Sequence, residues 1–149
     1  MRTENWSKQI PAEYSFLKGV MSDHSEILEL SKRFDLDVLE FNIRDFCVVR
    51  KQSRVVGFGR LRPYPGFKEV ATVGVVEDER SKGIGSAVVN CLVDGKDETI
   101  FLACVIPDFF ARLGFKEVKD FPGELTAKIN FCHSFGYKRN EVHVMKLER

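Results

Sequence analysis

The residues most able to do chemistry lie in one charged turn, Glu77-Asp78-Glu79-Arg80-Ser81-Lys82-Gly83-Ile84-Gly85. It joins an apolar stretch to a helical pattern and ends in two glycines. The chemistry of such a junction is anion binding. The first turn of a helix has backbone N–H groups without intrahelical partners, and the helix dipole places partial positive charge there. Glycines at 83 and 85 let a phosphate reach the backbone with no Cβ in the way. Arg80 and Lys82 put cationic side chains beside it. The alternative is a tight strand-to-helix turn with no ligand. Two nucleotide-binding patterns do not fit. The third glycine of a dinucleotide fingerprint is replaced by Val88, and Gly85-Ser86 has no lysine between, as a P-loop requires.

The elements that must position this turn are legible on either side. Val70 to Val76 is β-branched and small, and reads as a strand covered on both faces. Ile84, Ala87, Val88, Cys91 and Leu92 form the stripe of a helix packed on one face, with Gly95 placed to stop it. Upstream, Asp23 and Glu26 suggest a capped helix start, with Asp23 as N-cap. The apolar residues Ile27, Leu28, Leu30 and Phe34 carry that helix over about 23–33. Phe46–Arg50 and Val55–Leu61 read as a hairpin around Lys51-Gln52-Ser53-Arg54. Pro63-Tyr64-Pro65-Gly66 then breaks the second strand and returns the chain to the central one. Downstream come a strand at Thr99–Cys104, a short helix opened by Pro107, a helix over about 123–134 and a last strand at Val142–Leu147. Residues 1–15, with Trp6 and Tyr14, read as an arm or a short edge element.

Composition narrows the function classes. A chain of 149 residues is expected to form one domain, 1–149, with a substantial core. A formal net charge of +1 argues against a dedicated nucleic-acid binder. There is no run long enough for a membrane span and no signal-peptide core, so a cytoplasmic location is expected. The four cysteines, Cys47, Cys91, Cys104 and Cys132, sit in apolar contexts without metal-ligand spacing. Reduced, buried thiols and no metal are expected.

Arg80-Ser81-Lys82-Gly83-Ile84-Gly85 after an apolar strand resembles the central motif of the GCN5-related N-acetyltransferases, Arg/Gln-x-x-Gly-x-Gly/Ala. A second family signature, a short helix running into Leu-Gly-Phe and a strand, is matched by Asp108 to Val118, with Leu113-Gly114-Phe115 at its centre. The resemblance covers about residues 20–118. It implies an α/β (α+β) fold, a mixed and mostly antiparallel sheet with splayed central strands and helices on both faces. It implies acetyl-CoA as cosubstrate, its pantetheine arm pairing with the central strand around Val73 and Val75. Its pyrophosphate would lie on the Ser81–Ser86 turn. It also implies a base on the central strand, four residues before Val73, which is Glu69. Strand alternation would put Glu69 on one face with Ala71, Val73 and Val75. The alternative for Glu69 is an exposed strand-end carboxylate paired with Lys68 or Arg60. The tyrosine that many members use as acid is Phe110 here; Tyr64, Tyr137 and Cys104 are other candidates.

The expected reaction is acetyl transfer from acetyl-CoA to a primary amine, an amino acid or other small amine, by direct attack in a ternary complex. An acyl-CoA sensor without turnover, or an enzyme acting on protein N-termini or lysines, are the alternatives. Residues 119–141 exceed the common pattern. With Phe110 they look loosely similar to the acetyltransferase domain of N-acetylglutamate synthases, with His133 and Tyr137 as candidates to line the acceptor pocket. An exposed C-terminal edge strand could pair across a homodimer.

Overall fold

The computed structural model describes residues 11–148. Among them seven strands form one sheet: β1 (Tyr14–Lys18), β2 (Phe46–Lys51), β3 (Arg54–Tyr64), β4 (Phe67–Val75), β5 (Ile100–Cys104), β6 (Phe115–Glu117) and β7 (His143–Leu147). Their order is β1-β2-β3-β4-β5-β7-β6, antiparallel throughout except for the β4–β5 pair. Four helices accompany them: α1 (His24–Arg33), α2 (Ile84–Val93), α3 (Pro107–Ala111) and α4 (Thr126–Ser134). A parallel pair needs a crossover, and α2 supplies it between β4 and β5.

Alternation along the strands explains why both faces are covered. On β2, Cys47 and Val49 join the core under α2, whereas Phe46 and Val48 join Ile27 of α1 on the other face. Helix α2 buries Ile84, Ala87, Val88, Val89 and Leu92. It can lie this close to β3 because Gly57 and Gly59 face it. A Cβ on Gly57 would meet Ile84 at 2.6 Å, and one on Gly59 would meet Val88 at 2.7 Å.

Several expectations are corrected. Asp23 makes no side-chain cap on α1; it closes a 3-10 turn, Met21–Asp23, where its carboxylate accepts from Val20 N–H and pairs with Arg50. Pro63 does not end its strand: it pairs opposite Lys68, and the reversal is the shorter Pro65-Gly66 turn, with Gly66 at φ +85°. β1 adds a fourth antiparallel strand before the glycine turn, so Tyr14 belongs to an edge strand; Trp6 lies outside the described residues. The C-terminal strand is no edge, because β7 sits between β5 and the three-residue β6. The four cysteines are free; Cys47, Cys104 and Cys132 are buried and Cys91 is half-buried. Among the described residues no helix is long and apolar enough to cross a membrane.

The largest correction concerns β4. Pairing with β3 shifts register between Phe58↔Gly74 and Arg60↔Ala71, an extra residue on β4, and Thr72 takes φ +56°. A positive φ is an outlier for a β-branched residue, and the bulge inverts the alternation beyond it. Val70, Val73 and Val75 thus pack toward α2. Glu69 and Gly74 point to the opposite face, beside Tyr64 and beside Phe58 and Leu36 respectively. Glu69 does not share a face with Val73 and Val75.

Candidate active site

The two central strands part almost as soon as they meet. β4 and β5 pair only at Lys68↔Ile100 and Glu69↔Phe101. Past these pairs a cavity of about 340 Å³ opens between residues 70–73 of β4 and 102–106 at the end of β5. Residues 34–37 close it on one side, and Lys128, Phe131, Cys132, Phe135 and Tyr137 on the other; Phe110 also lines it. Without a β-ladder partner on this side, the edge of β4 can offer its backbone to an extended ligand.

A continuous track leads from the cavity to the glycine turn. Val73 lines the cavity. Val75, one step on, lies 3.7 Å from the place a Cβ of Gly85 would take, and Phe109 of α3 lies 3.4 Å from it. The Arg80 Nε donates to the Val75 carbonyl at 2.8 Å, and its guanidinium stacks over Phe34, 5.0 Å from the ring centre. Lys82 pairs with Glu79 at 3.2 Å. The Val75 carbonyl is therefore engaged by the chain itself, which leaves its N–H as the candidate contact.

Helix α2 begins at Ile84 behind Gly83, which holds φ +85° and gives no side-chain cap. The N–H groups of Ile84, Gly85 and Ser86 consequently point out of an uncapped helix end. Ser81 also has positive φ, +67°. The two glycines differ in what they require. Gly83 needs its backbone conformation and has open space around it; Gly85 would place a Cβ in ordinary contact. A left-handed φ costs a residue with a Cβ about 1–2 kcal/mol. Gly83→Val is expected to destabilise by that amount and to weaken coenzyme A binding, while Gly85→Ala stays within about 0.5 kcal/mol. Thermal melts with and without coenzyme A check both; equal losses in the two variants would contradict this account.

The turn is anchored from below by Glu79, which is buried and accepts from Tyr14, Lys82 and Lys51. The Tyr14 hydroxyl, more than the two ammonium groups, holds its carboxyl below the ordinary glutamate value of 4.5, although burial works the other way. A depressed carboxyl contributes stability above its unfolded value and loses it as pH falls through the folded one. Glu79→Gln should accordingly lower the melting temperature at neutral pH, and the difference from wild type should vanish in acid. A difference independent of pH would contradict this.

Glu69 is fully buried, not an exposed strand end. Lys68 turns away to Glu98. The Tyr64 hydroxyl donates to Glu69 Oε1 at 3.0 Å, and Lys128 Nζ lies 3.9 Å from Oε2. Burial, and then the Glu69 charge, raise the Tyr64 hydroxyl well above its usual range, so it remains a donor. Glu69 itself does not line the cavity; Lys128 and Asp37 beside it do. Asp37 is held by Arg60 at 3.7 Å, by Arg62 at 3.6 Å and by Lys128 at 4.0 Å. Burial pushes the Cys104 thiol up to about 11 and raises that of Cys132. Both cavity cysteines are thus thiols at neutral pH, poor nucleophiles. Phe110 packs edge-on against Phe109 and Phe115. Tyr137 lines the cavity; His133 instead meets the Tyr137 carbonyl at 2.7 Å. Among the described residues no group of three His, Cys, Asp or Glu side chains could hold a metal.

Residues 42–117 match the family described as the acetyltransferase (GNAT) domain. The chain belongs to this family. It is 29% identical over 108 residues to an uncharacterised N-acetyltransferase of Chlorobaculum tepidum, covering 68% of this chain and 69% of that protein. The fold is shared with N-acetylglutamate synthase from Neisseria gonorrhoeae, solved with coenzyme A and N-acetyl-glutamate. That match has a TM-score of 0.73 and 19% identity, over 93% of this chain and 36% of that one. It is shared too with Rv2747 from Mycobacterium tuberculosis, solved with CoA and NLQ, at a TM-score of 0.69 and 23% identity, over 91% and 99%. This chain thus spans about a third of the length of the gonococcal synthase, and nearly all of the mycobacterial protein. The mixed sheet, its splayed centre and its flanking helices are those of a GNAT acetyltransferase.

Sequence reasoning singled out the glycine turn and Glu69. It did not single out Asp37, Arg62, Thr72 or Lys128, and it named Arg60 only as an ion-pair partner for Glu69. The one sequence-level hint was Arg60 and Arg62 closing an apolar strand, a place where a charge needs a buried partner.

Proposed function

We propose that this chain transfers the acetyl group of acetyl-CoA to the primary amine of a small molecule, an amino acid or another small amine, by direct attack in a ternary complex. The observation that carries this is the wedge between β4 and β5, continuous with the uncapped glycine turn at Gly83. The pyrophosphate lies on the N–H groups of the Ser81–Ser86 turn, and the pantetheine arm pairs with β4 around Val73 and Val75. The thioester then sits in the cavity.

An alkylammonium has a pKa near ~10 and must lose a proton before it attacks. Glu69 takes that proton through water, since its carboxylate stands just behind the cavity wall. The amine nitrogen bonds to the carbonyl carbon, and the oxyanion that forms is held by backbone N–H of β4. The C–S bond then breaks, and the extra proton on the new amide nitrogen passes through water to the departing sulfur. The coenzyme A thiolate, from a thiol of pKa about 8.5, leaves without a dedicated acid, in keeping with Phe110 in place of tyrosine. Neutral thiols at Cys104 and Cys132 favour direct attack over a covalent acyl-enzyme.

A cavity of about 340 Å³ lined by four segments matches the size of a small acceptor. An amino acid is the first class to test, because the gonococcal synthase that shares this fold holds N-acetyl-glutamate beside coenzyme A. The second reading, an acyl-CoA sensor, is favoured by Phe110 alone. The test is thiol release from acetyl-CoA across amino acids, polyamines and peptides, with acetyl-CoA binding followed by thermal shift. Release with one small amine supports the proposal. Binding without release on any amine favours the sensor, release on peptides alone favours a protein acceptor, and absence of binding overturns the reading.

A further inference from the structure

Helix α4, in the segment that exceeds the common family pattern, brings one cation to the back of the cavity. Lys128 Nζ stands 3.9 Å from Glu69 Oε2 and 4.0 Å from Asp37 Oδ2. Both carboxylates are fully buried, and these two oxygens accept no hydrogen bond within the protein. The Lys128 side chain is only 12% exposed. It lines the cavity that Glu69 does not reach, so the ammonium lies between the candidate base and the reaction chamber.

We propose that Lys128 is a positioning residue for acetyl transfer, its ammonium standing against the Glu69 oxygen that accepts no hydrogen bond and fitting that carboxylate to accept the acceptor's proton. This rests on reading Glu69 as the base. An opposite charge within about 4–6 Å favours the charged form of a carboxyl, and a carboxyl that already holds a proton takes none from an amine. The surrounding groups do not replace Lys128. From β3, Arg60 donates to Thr72 and to the Glu40 and Asp37 carbonyls and stands 3.7 Å from the Asp37 carboxylate, Arg62 reaches Asp37 and Glu40, and Tyr64 donates to Glu69 Oε1, which leaves Oε2 to Lys128. From α4 and β5, Cys132 and Cys104 are neutral thiols. Among the described residues the ion pair of Glu69 is with Lys128.

The experiment measures thiol release with acetyl-CoA and the best amine, as kcat/KM against pH, for wild type, Lys128→Met, Lys128→Gln, Lys128→Arg and Glu69→Gln. Thermal shift with coenzyme A confirms that each variant is folded. Lys128→Met should lower kcat/KM at neutral pH by about tenfold to a hundredfold, with the acid limb of the profile moved up by about one pH unit. Lys128→Arg should restore the limb. Lys128→Gln keeps a polar group and removes the charge, and decides the matter if the methionine variant does not fold. A loss of rate with an unmoved acid limb, or no loss, overturns the proposal. Wild-type kinetics in Glu69→Gln would instead overturn the base assignment on which it rests, a result separate from any effect at position 128.

Discussion

Replacing Arg60 with methionine is expected to lower stability by about 3–5 kcal/mol, the usual cost of breaking a buried ion pair by removing one partner. Arg60 is fully buried and joins three parts of the molecule. Its Nε donates to Thr72 Oγ1 at 2.9 Å, and its terminal nitrogens donate to the Asp37 and Glu40 carbonyls at 3.1 and 3.2 Å. The Thr72 hydroxyl, so fixed, donates to the Asp37 carbonyl at 2.7 Å. One side chain thereby holds the β4 bulge in its left-handed conformation, a state costing of order 1–3 kcal/mol, and ties the loop after α1 to it. Methionine fills much of the space but leaves Asp37 with weaker partners, takes the Arg60 donor from the Glu40 carbonyl and leaves the Asp37 carbonyl with Thr72 Oγ1. Domains of this kind have a total stability of about 5–15 kcal/mol, so the variant should fold with a sharply reduced urea midpoint. Lysine should not rescue it, because a single ammonium cannot reproduce the fork. A midpoint equal to wild type would show that the bulge holds without this tie.

Replacing Glu69 with glutamine is expected to lower kcat/KM by about 10²- to 10⁴-fold, the span of general acid–base contributions. The amide keeps the shape of the side chain and can still accept from Tyr64, but it cannot take the ammonium's proton. Coenzyme A binding should be unchanged, since Glu69 stands behind the cavity wall and takes no part in the turn at Ser81–Ser86. The measurement separates the two properties on one sample: thiol release for chemistry, thermal shift for binding. Loss of both would make Glu69 a structural residue. Loss of neither would move the base elsewhere in the chamber.

The glycine turn was legible because its parts are contiguous. Arg80 to Gly85 states helix end, glycines and cations within one turn, and Leu113-Gly114-Phe115 placed the second motif at the right distance. The fold followed from alternation and helical stripes, as in Ile84, Ala87, Val88 and Leu92. Where alternation is interrupted, the reading failed. Nothing in Val70-Ala71-Thr72-Val73 announces a bulge, because its cause lies in Arg60 and Asp37, brought to Thr72 only by tertiary folding. The same holds for Lys128, an unremarkable lysine in a helical pattern until α4 docks behind β5. Edge status was likewise invisible: β7 looks terminal in sequence, yet β6 pairs outside it.

The two-pair junction between β4 and β5 makes the sheet, in mechanical terms, two panels joined by a short weld. One panel is β1 to β4, carrying Glu69 and the glycine turn; the other is β5, β7 and β6. Each panel is well hydrogen-bonded within itself, and the backbone ladder along their shared seam is left unfinished beyond Glu69. A cosubstrate that pairs with the open edge of β4 takes the place of absent strand there. Under the proposed pairing, the protein reaches its full complement of sheet hydrogen bonds only as a complex, and the unfinished seam would tie cosubstrate binding to the rigidity of the fold.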